Sequence, residues 1–103
     1  MLDLKSDAGK QALQALLDKA DVFVSNLALG AVDRLGFGAE ACQQSNPGLI
    51  HATISGYGPG GSYTDRKAYD LIVQCEAGLL SVTGTPEHPS KAGVSIADIA
   101  AGM

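Results

Sequence analysis

The residues of this sequence able to do chemistry are few, and Asp98 stands out as the one charge in SIADIAAGM, residues 95–103. On position alone it reads as an acid in the first turn of a helix or in an exposed turn. The other candidate groups are scattered. His51 and His88 have no partner at catalytic spacing and read as structural or solvated, and no signature assembles a Ser-His-Asp triad. Cys42 and Cys75 follow neither a CxxC nor a metal-ligand pattern and read as reduced core thiols. The run SGYGPGGSYTD at 55–65 matches neither the phosphate-cradling GxxxxGK[ST] pattern nor a GxGxxG opening into a helix. It reads as a surface loop. Arg34, Arg66 and Lys67 are isolated basic residues that belong to no basic cluster, and each reads as a solvated side chain.

The elements that must hold these groups alternate. LDLK at 2–5 reads as a short strand, and Ser6 then offers an N-cap with Asp7 in the first turn, where the helix dipole favours an anion. Ala12, Leu13, Leu16, Leu17 and Ala20 recur at helical spacing, which predicts a helix over 7–20. DVFVSN at 21–26 and LIHATIS at 49–55 read as buried parallel strands. Residues 30–45 between them predict one or two short helices broken near GFG and ended by SNPG, since Pro47 cannot continue a helix. Residues 69–83 carry Leu71, Ile72, Cys75, Leu79 and Val82 on a helical face, with Gly84 as the residue that ends the helix. TPEHPSKAGV at 85–94 is a loop, and a last helix or turn starts at Ser95. This order predicts an α/β fold with a short three-stranded parallel sheet and flanking helices. The 69–83 segment is apolar on more than one side, so it needs a partner surface. That points to a fragment or to an obligate oligomer, and a homodimer is expected.

Composition narrows the function classes. The 103 residues suffice for one modest domain, and 46% hydrophobic content with 17% charged is ordinary for a globular chain. With no Trp, two Phe and three Tyr, the core must come from Ala, Val, Leu and Ile. A net charge of −4 without a basic cluster argues against nucleic acid. No run approaches the ~18–20 apolar residues of a membrane span, and MLDLKSDAGK is not built like a signal peptide. The expectation is a cytoplasmic protein with no metal.

Taken together, ADVFVSN, VDRLGFG, NPGLIHATISGYGPGGSY, DRKAYDLIVQ, EAGLLSVTG and the closing SIADI-AG, in that order and spacing, resemble the family III CoA-transferases. That superfamily includes formyl-CoA:oxalate and carnitine CoA-transferases, and α-methylacyl-CoA racemase is related to it. Its proteins are several times longer, so residues 1–103 resemble a segment within the family's Rossmann-like large domain, present here as a fragment or truncated form.

The resemblance implies that CoA moves from an acyl-CoA to a carboxylic acid through an anhydride and then a thioester on an aspartate, and Asp98 is the residue that matches. It implies CoA contacts at Asn26, Leu27, Ala31 and Arg34, with Arg34 a phosphate partner, and at Lys67 and Tyr69 on the active-site side of the CoA channel. The racemases carry a histidine where Tyr69 stands, because returning an α-proton needs a titrating base. Tyr69 therefore favours transfer over racemisation. One departure is NLALG at 26–30, where the family commonly reads NFRPG. Two other readings are carried: a non-catalytic CoA-binding or oligomerising remnant, and an acyl-CoA racemase-like isomerase.

Overall fold

Ser6 starts the first helix as its sequence position suggests. Its Oγ accepts from the Gly9 N–H at 3.1 Å, Asp7 occupies the first turn, and α1 runs Asp7–Leu17. The computed structural model describes residues 1–103 and divides them into two units, Met1–Ser55 and Gly56–Met103.

In the first unit the expected first strand does not form. Asp3 takes the segment instead: its Oδ1 accepts from the Lys5 N–H at 3.0 Å, and its carbonyl accepts from the Ser6 N–H at 3.1 Å. These local bonds fold residues 3–6 into a turn in place of a strand. Gly9 is required where α1 meets this turn, because a Cβ there would stand 2.0 Å from the Asp3 carbonyl oxygen. The sheet therefore has two strands, not three: β1 (Val22–Ser25) and β2 (Ile50–Thr53), parallel, with Val22 opposite Ile50 and Ser25 opposite Thr53. The α/β class with a parallel sheet and flanking helices holds.

Between the strands lie α2 (Ala31–Leu35) and α3 (Ala39–Ser45), broken at GFG as expected. Gly36 adopts φ +91°, which lets the Phe37 N–H reach back to the Val32 carbonyl at 3.0 Å. Leu17, Val32, Phe37, Cys42 and Leu49 form the buried core, flanked by Leu13, Ala20, Phe23 and Leu35. An aromatic residue and a thiol thus join the aliphatic side chains that composition favours, while Cys75 is exposed rather than in the core. α1 stops short of the expected residue 20. Asn46 receives its end, donating from Nδ2 to the Leu17 and Ala20 carbonyls at 3.0 and 2.9 Å.

One sheet face packs on this core; the other does not. Phe23 and His51 face each other across the strands with their rings edge to face, centroids 5.1 Å apart. Val22, Val24 and Ile50 on the opposite face stay 51%, 56% and 62% exposed, and Ile54 just beyond is exposed too. The expectation of strands buried on both faces fails for this chain.

In the second unit, α4 (Asp70–Glu76) is followed by a 3₁₀ turn (Leu79–Val82), and α5 (Ile96–Gly102) closes the chain. The helix expected over 69–83 is two pieces, because Gly78 at φ +77° turns the backbone left-handed. No hydrophobic side chain of this unit is buried; Leu71, Ile72, Val82, Val94 and Ile99 are all exposed. Val73, Leu79, Leu80 and Ile96 are half-buried, and side-chain hydrogen bonds add to what they hold together.

Candidate functional site

In the second unit the candidate residues gather around one end of α4. Tyr69 is the residue before the helix; its carbonyl accepts from the Val73 N–H at 3.0 Å, and its side chain is 65% exposed. Lys67, two residues earlier, is exposed. Asp70 opens the helix and reaches α5. Its Oδ1 accepts from the backbone N–H groups of Ala97 and Asp98 at 2.8 and 3.3 Å. Its Oδ2 accepts from Gln74 Nε2 at 2.5 Å, one turn further along α4. Gln74 is fully buried, and its Oε1 has no partner. Asp98 itself is an exposed acid in the first turn of α5, flanked by Ala97 and Ile99.

The glycine-rich loop is anchored to α4 by a cluster that spacing alone did not reveal. Tyr57 Oη donates to Glu76 Oε2 at 2.5 Å, and Arg66 Nη1 lies 3.3 Å from Glu76 Oε1. The Arg66 guanidinium stacks 3.8 Å above the Tyr63 ring, and Tyr63 meets Tyr57 edge to face at 5.5 Å. Arg66 is therefore a paired and stacked residue rather than a merely solvated one. Gly56 lets the loop start against Ala68, since a Cβ there would stand 1.9 Å from the Ala68 Cβ.

The Glu76 carboxylate holds the Tyr57 proton and raises the phenol above its ordinary value, with partial desolvation adding to this. A raised value in the fold means that the contribution to stability is complete below the unfolded pKa of ~10 and is lost as pH rises through the folded one. Glu76→Gln is expected to return the Tyr57 ionisation toward the ordinary value, read by ultraviolet titration of tyrosinate with Tyr57→Phe identifying the transition. An unchanged titration in Glu76→Gln would refute that cause.

In the first unit the other candidates share one segment at the C-terminal end of β1. Ser25 ends the strand, buried, and its Oγ accepts from the Leu27 N–H at 3.3 Å, which turns the chain outward. Asn26 and Leu27 are exposed on that turn. Gly30, at φ +72°, starts α2, which carries Ala31, half-buried, and Arg34, exposed. A Cβ on Gly30 would stand 3.1 Å from Arg34 Nη1. The carboxyl ends of parallel strands are where open α/β sheets receive ligands. Asn26, Leu27, Ala31 and Arg34 thus form one group, and Lys67, Tyr69 and Asp98 belong to the other unit.

Sequence reasoning passed over Asp70, Gln74, Tyr57 and Glu76. Asp70 and Gln74 did carry a signal, a carboxylate and an amide at i,i+4 on a helix. The histidines stay as expected: His51 packs on Phe23, and His88 lies exposed in a turn where its N–H reaches Thr85. No group of three or more His, Cys, Asp or Glu side chains gathers as metal ligands would, and no helix is long and apolar enough to cross a membrane.

Comparison with known proteins adds the lineage. Residues 1–103 match the family described as CoA-transferase family III. The chain is 43% identical over 103 residues to the formyl-CoA:oxalate CoA-transferase of Bradyrhizobium diazoefficiens, covering 99% of this chain and 24% of that one. It is 40% identical over 103 residues to an acyl-CoA transferase of Fusarium pseudograminearum, covering 99% and 23%. Among solved structures, a CAIB/BAIF family protein from Brucella suis superposes with a TM-score of 0.90 at 36% identity, over 94% of this chain and 26% of that one. Rv3272 from Mycobacterium tuberculosis gives 0.88 at 34%, over 98% and 28%. The chain spans about a quarter of the length of the curated relatives it matches.

Proposed function

The chain belongs to CoA-transferase family III, and from that premise we propose that it is a segment of the large domain of a CoA-transferase in which Asp98 is the nucleophile. The observation that carries the reading is the position of Asp98: an exposed carboxylate in the first turn of α5, among small residues, with its own backbone N–H held by Asp70. Small neighbours (Ala97, Ala100, Ala101 and Gly102) leave room for a thioester to approach.

The chemistry needs no proton and no electron from outside. An Asp98 oxygen attacks the acyl-CoA carbonyl carbon, the C–S bond breaks, and CoA leaves as thiolate, giving an acyl–aspartyl anhydride. The thiolate attacks the aspartyl carbonyl carbon and expels the donor acid as carboxylate, leaving an aspartyl–CoA thioester. An acceptor carboxylate then repeats the two displacements in the opposite order, and Asp98 is released as carboxylate. A carboxylate nucleophile needs no general base to activate it. As a weak nucleophile it depends on alignment and on donors to the developing oxyanion.

In this reading Asn26, Leu27, Ala31 and Arg34 meet CoA, with the Arg34 guanidinium on phosphate, and Lys67 and Tyr69 lie beside the acyl end. The protein would work in the cytoplasm as a homodimer, with acyl-CoA and a carboxylic acid as its only partners. Formyl-CoA and oxalate are the first pair to assay, from the name of the Bradyrhizobium relative. Tyr69 in place of a histidine disfavours the racemase reading. Incubation with formyl-CoA, followed by intact-mass measurement, is expected to give an adduct of CoA mass that hydroxylamine removes. CoA binding by calorimetry without any adduct would favour the non-catalytic CoA-binding module instead.

A further inference from the structure

We propose that Asp70 is the positioning residue of this site: its carboxylate fixes the backbone of Asp98, and buried Gln74 fixes Asp70. The proposal rests on the reading of Asp98 as nucleophile and adds a second residue to it. Three observations support the assignment. First, α5 has no local cap, because Ser95 precedes it without a side-chain hydrogen bond. The first N–H groups of a helix lack partners within it, and here Asp70 Oδ1, from 27 and 28 residues away, accepts from two of them, one belonging to Asp98 itself.

Second, α5 has seven residues. A helix of that length is marginal by its own propensity, so its direction must come from a contact outside it. A carboxylate at its positive end is the favourable charge for that role. Third, Asp70 is itself held. Gln74 Nε2 donates to Oδ2 at 2.5 Å from a buried position, so neither carboxylate oxygen of Asp70 is left without a donor.

The same geometry separates the two acids. Asp70 has its oxygens engaged by three N–H donors and serves as an acceptor, whereas the Asp98 side chain is exposed beside it. Fixing the N–H of Asp98 fixes the origin of its Cα–Cβ bond, and hence the arc its carboxylate can sweep. For a weak nucleophile, a loose arc costs rate without costing substrate affinity.

The test compares the full chain with Asp70→Ala, Asp70→Asn and Gln74→Leu in two measurements: the rate of CoA-adduct formation against acyl-CoA concentration, and amide hydrogen exchange of Ala97 and Asp98 by NMR. An asparagine retains one accepting oxygen for the Ala97 and Asp98 amides, and its NH2 can donate to Gln74 once that amide flips to present Oε1, which has no partner of its own. Asp70→Ala is expected to slow adduct formation at saturation by about tenfold or more, with the half-saturating concentration changed less than about threefold. It is also expected to speed exchange at the two amides by about tenfold while the Val73 amide of α4 holds. Asp70→Asn should stay within about threefold of the parent in both, and Gln74→Leu should fall between the two. An Asp70→Ala rate within about twofold of the parent, or an Asp70→Asn chain as slow as Asp70→Ala, would overturn the proposal. If the parent chain forms no adduct, the reading of Asp98 as a nucleophile acting within this segment alone fails. The exchange data then still decide the placement of Asp70, with unaltered amides in Asp70→Ala overturning it.

Discussion

Asp98→Asn is expected to abolish the CoA adduct and to lower any acyl transfer by about a thousandfold or more, while leaving the fold as it is. Asparagine is nearly isosteric with aspartate, and the backbone N–H that Asp70 accepts from is unchanged. The side chain is exposed, so the substitution should alter stability by no more than about 0.5 kcal/mol. What is lost is the anionic oxygen: a neutral amide does not displace a thiolate. Intact mass after incubation with acyl-CoA, with thermal melting as the control, reads both halves of the prediction. An adduct of undiminished yield in a folded Asp98→Asn chain would place the nucleophile elsewhere.

Phe37→Ala carries the largest expected effect on stability. Phe37 is 5% exposed at the bend between α2 and α3, inside a core of only five buried hydrophobic side chains. Its N–H and its carbonyl are both engaged, the first by the Val32 carbonyl and the second by the Cys42 thiol at 3.1 Å. Burial pushes that thiol's pKa up, so it remains a neutral donor. Truncating such a ring costs about 3–5 kcal/mol, against a total of about 5–15 kcal/mol for ordinary domains. Denaturant titration should show most of the stability gone. Because Val32 anchors α2 through this core, the segment carrying Ala31 and Arg34 should loosen with it, and CoA affinity should fall in parallel. A loss below about 1 kcal/mol would mean that the core closes over the gap.

How far the sequence could be read depended on the range of the interaction involved. The Ser6 cap, the break at Gly36 and Gly38, and the pairing of 22–25 with 50–53 are encoded within a few residues or by apolar runs, and they form as expected. Residues 2–5 looked like a strand by alternation, but Asp3 offered the backbone nearer partners. Residues 69–83 looked like one helix by periodicity, which does not register that Gly78 can adopt a positive φ. The site was legible to the same extent. Asp98 and its small neighbours were visible, and the resemblance supplied their meaning. The contact from Asp70 to the start of α5 spans 27 residues and has no local signature. The Tyr57–Glu76–Arg66 cluster was hidden for the same reason, since it brings a loop that reads as mere punctuation onto a helix face.

The bare side of the two-stranded sheet has a thermodynamic consequence. Val22, Val24, Ile50 and Ile54 are already hydrated in the folded chain, as are Leu71, Ile72 and Val82 in the second unit. Unfolding therefore exposes less new apolar surface than 103 residues usually would. The heat-capacity increment falls below the usual ~12–15 cal/mol/K per residue, since apolar exposure is its positive contribution. A small increment flattens the dependence of stability on temperature, so this chain on its own melts over a shallow curve with little cold-side curvature. Covering those side chains with apolar surface would deepen that curve.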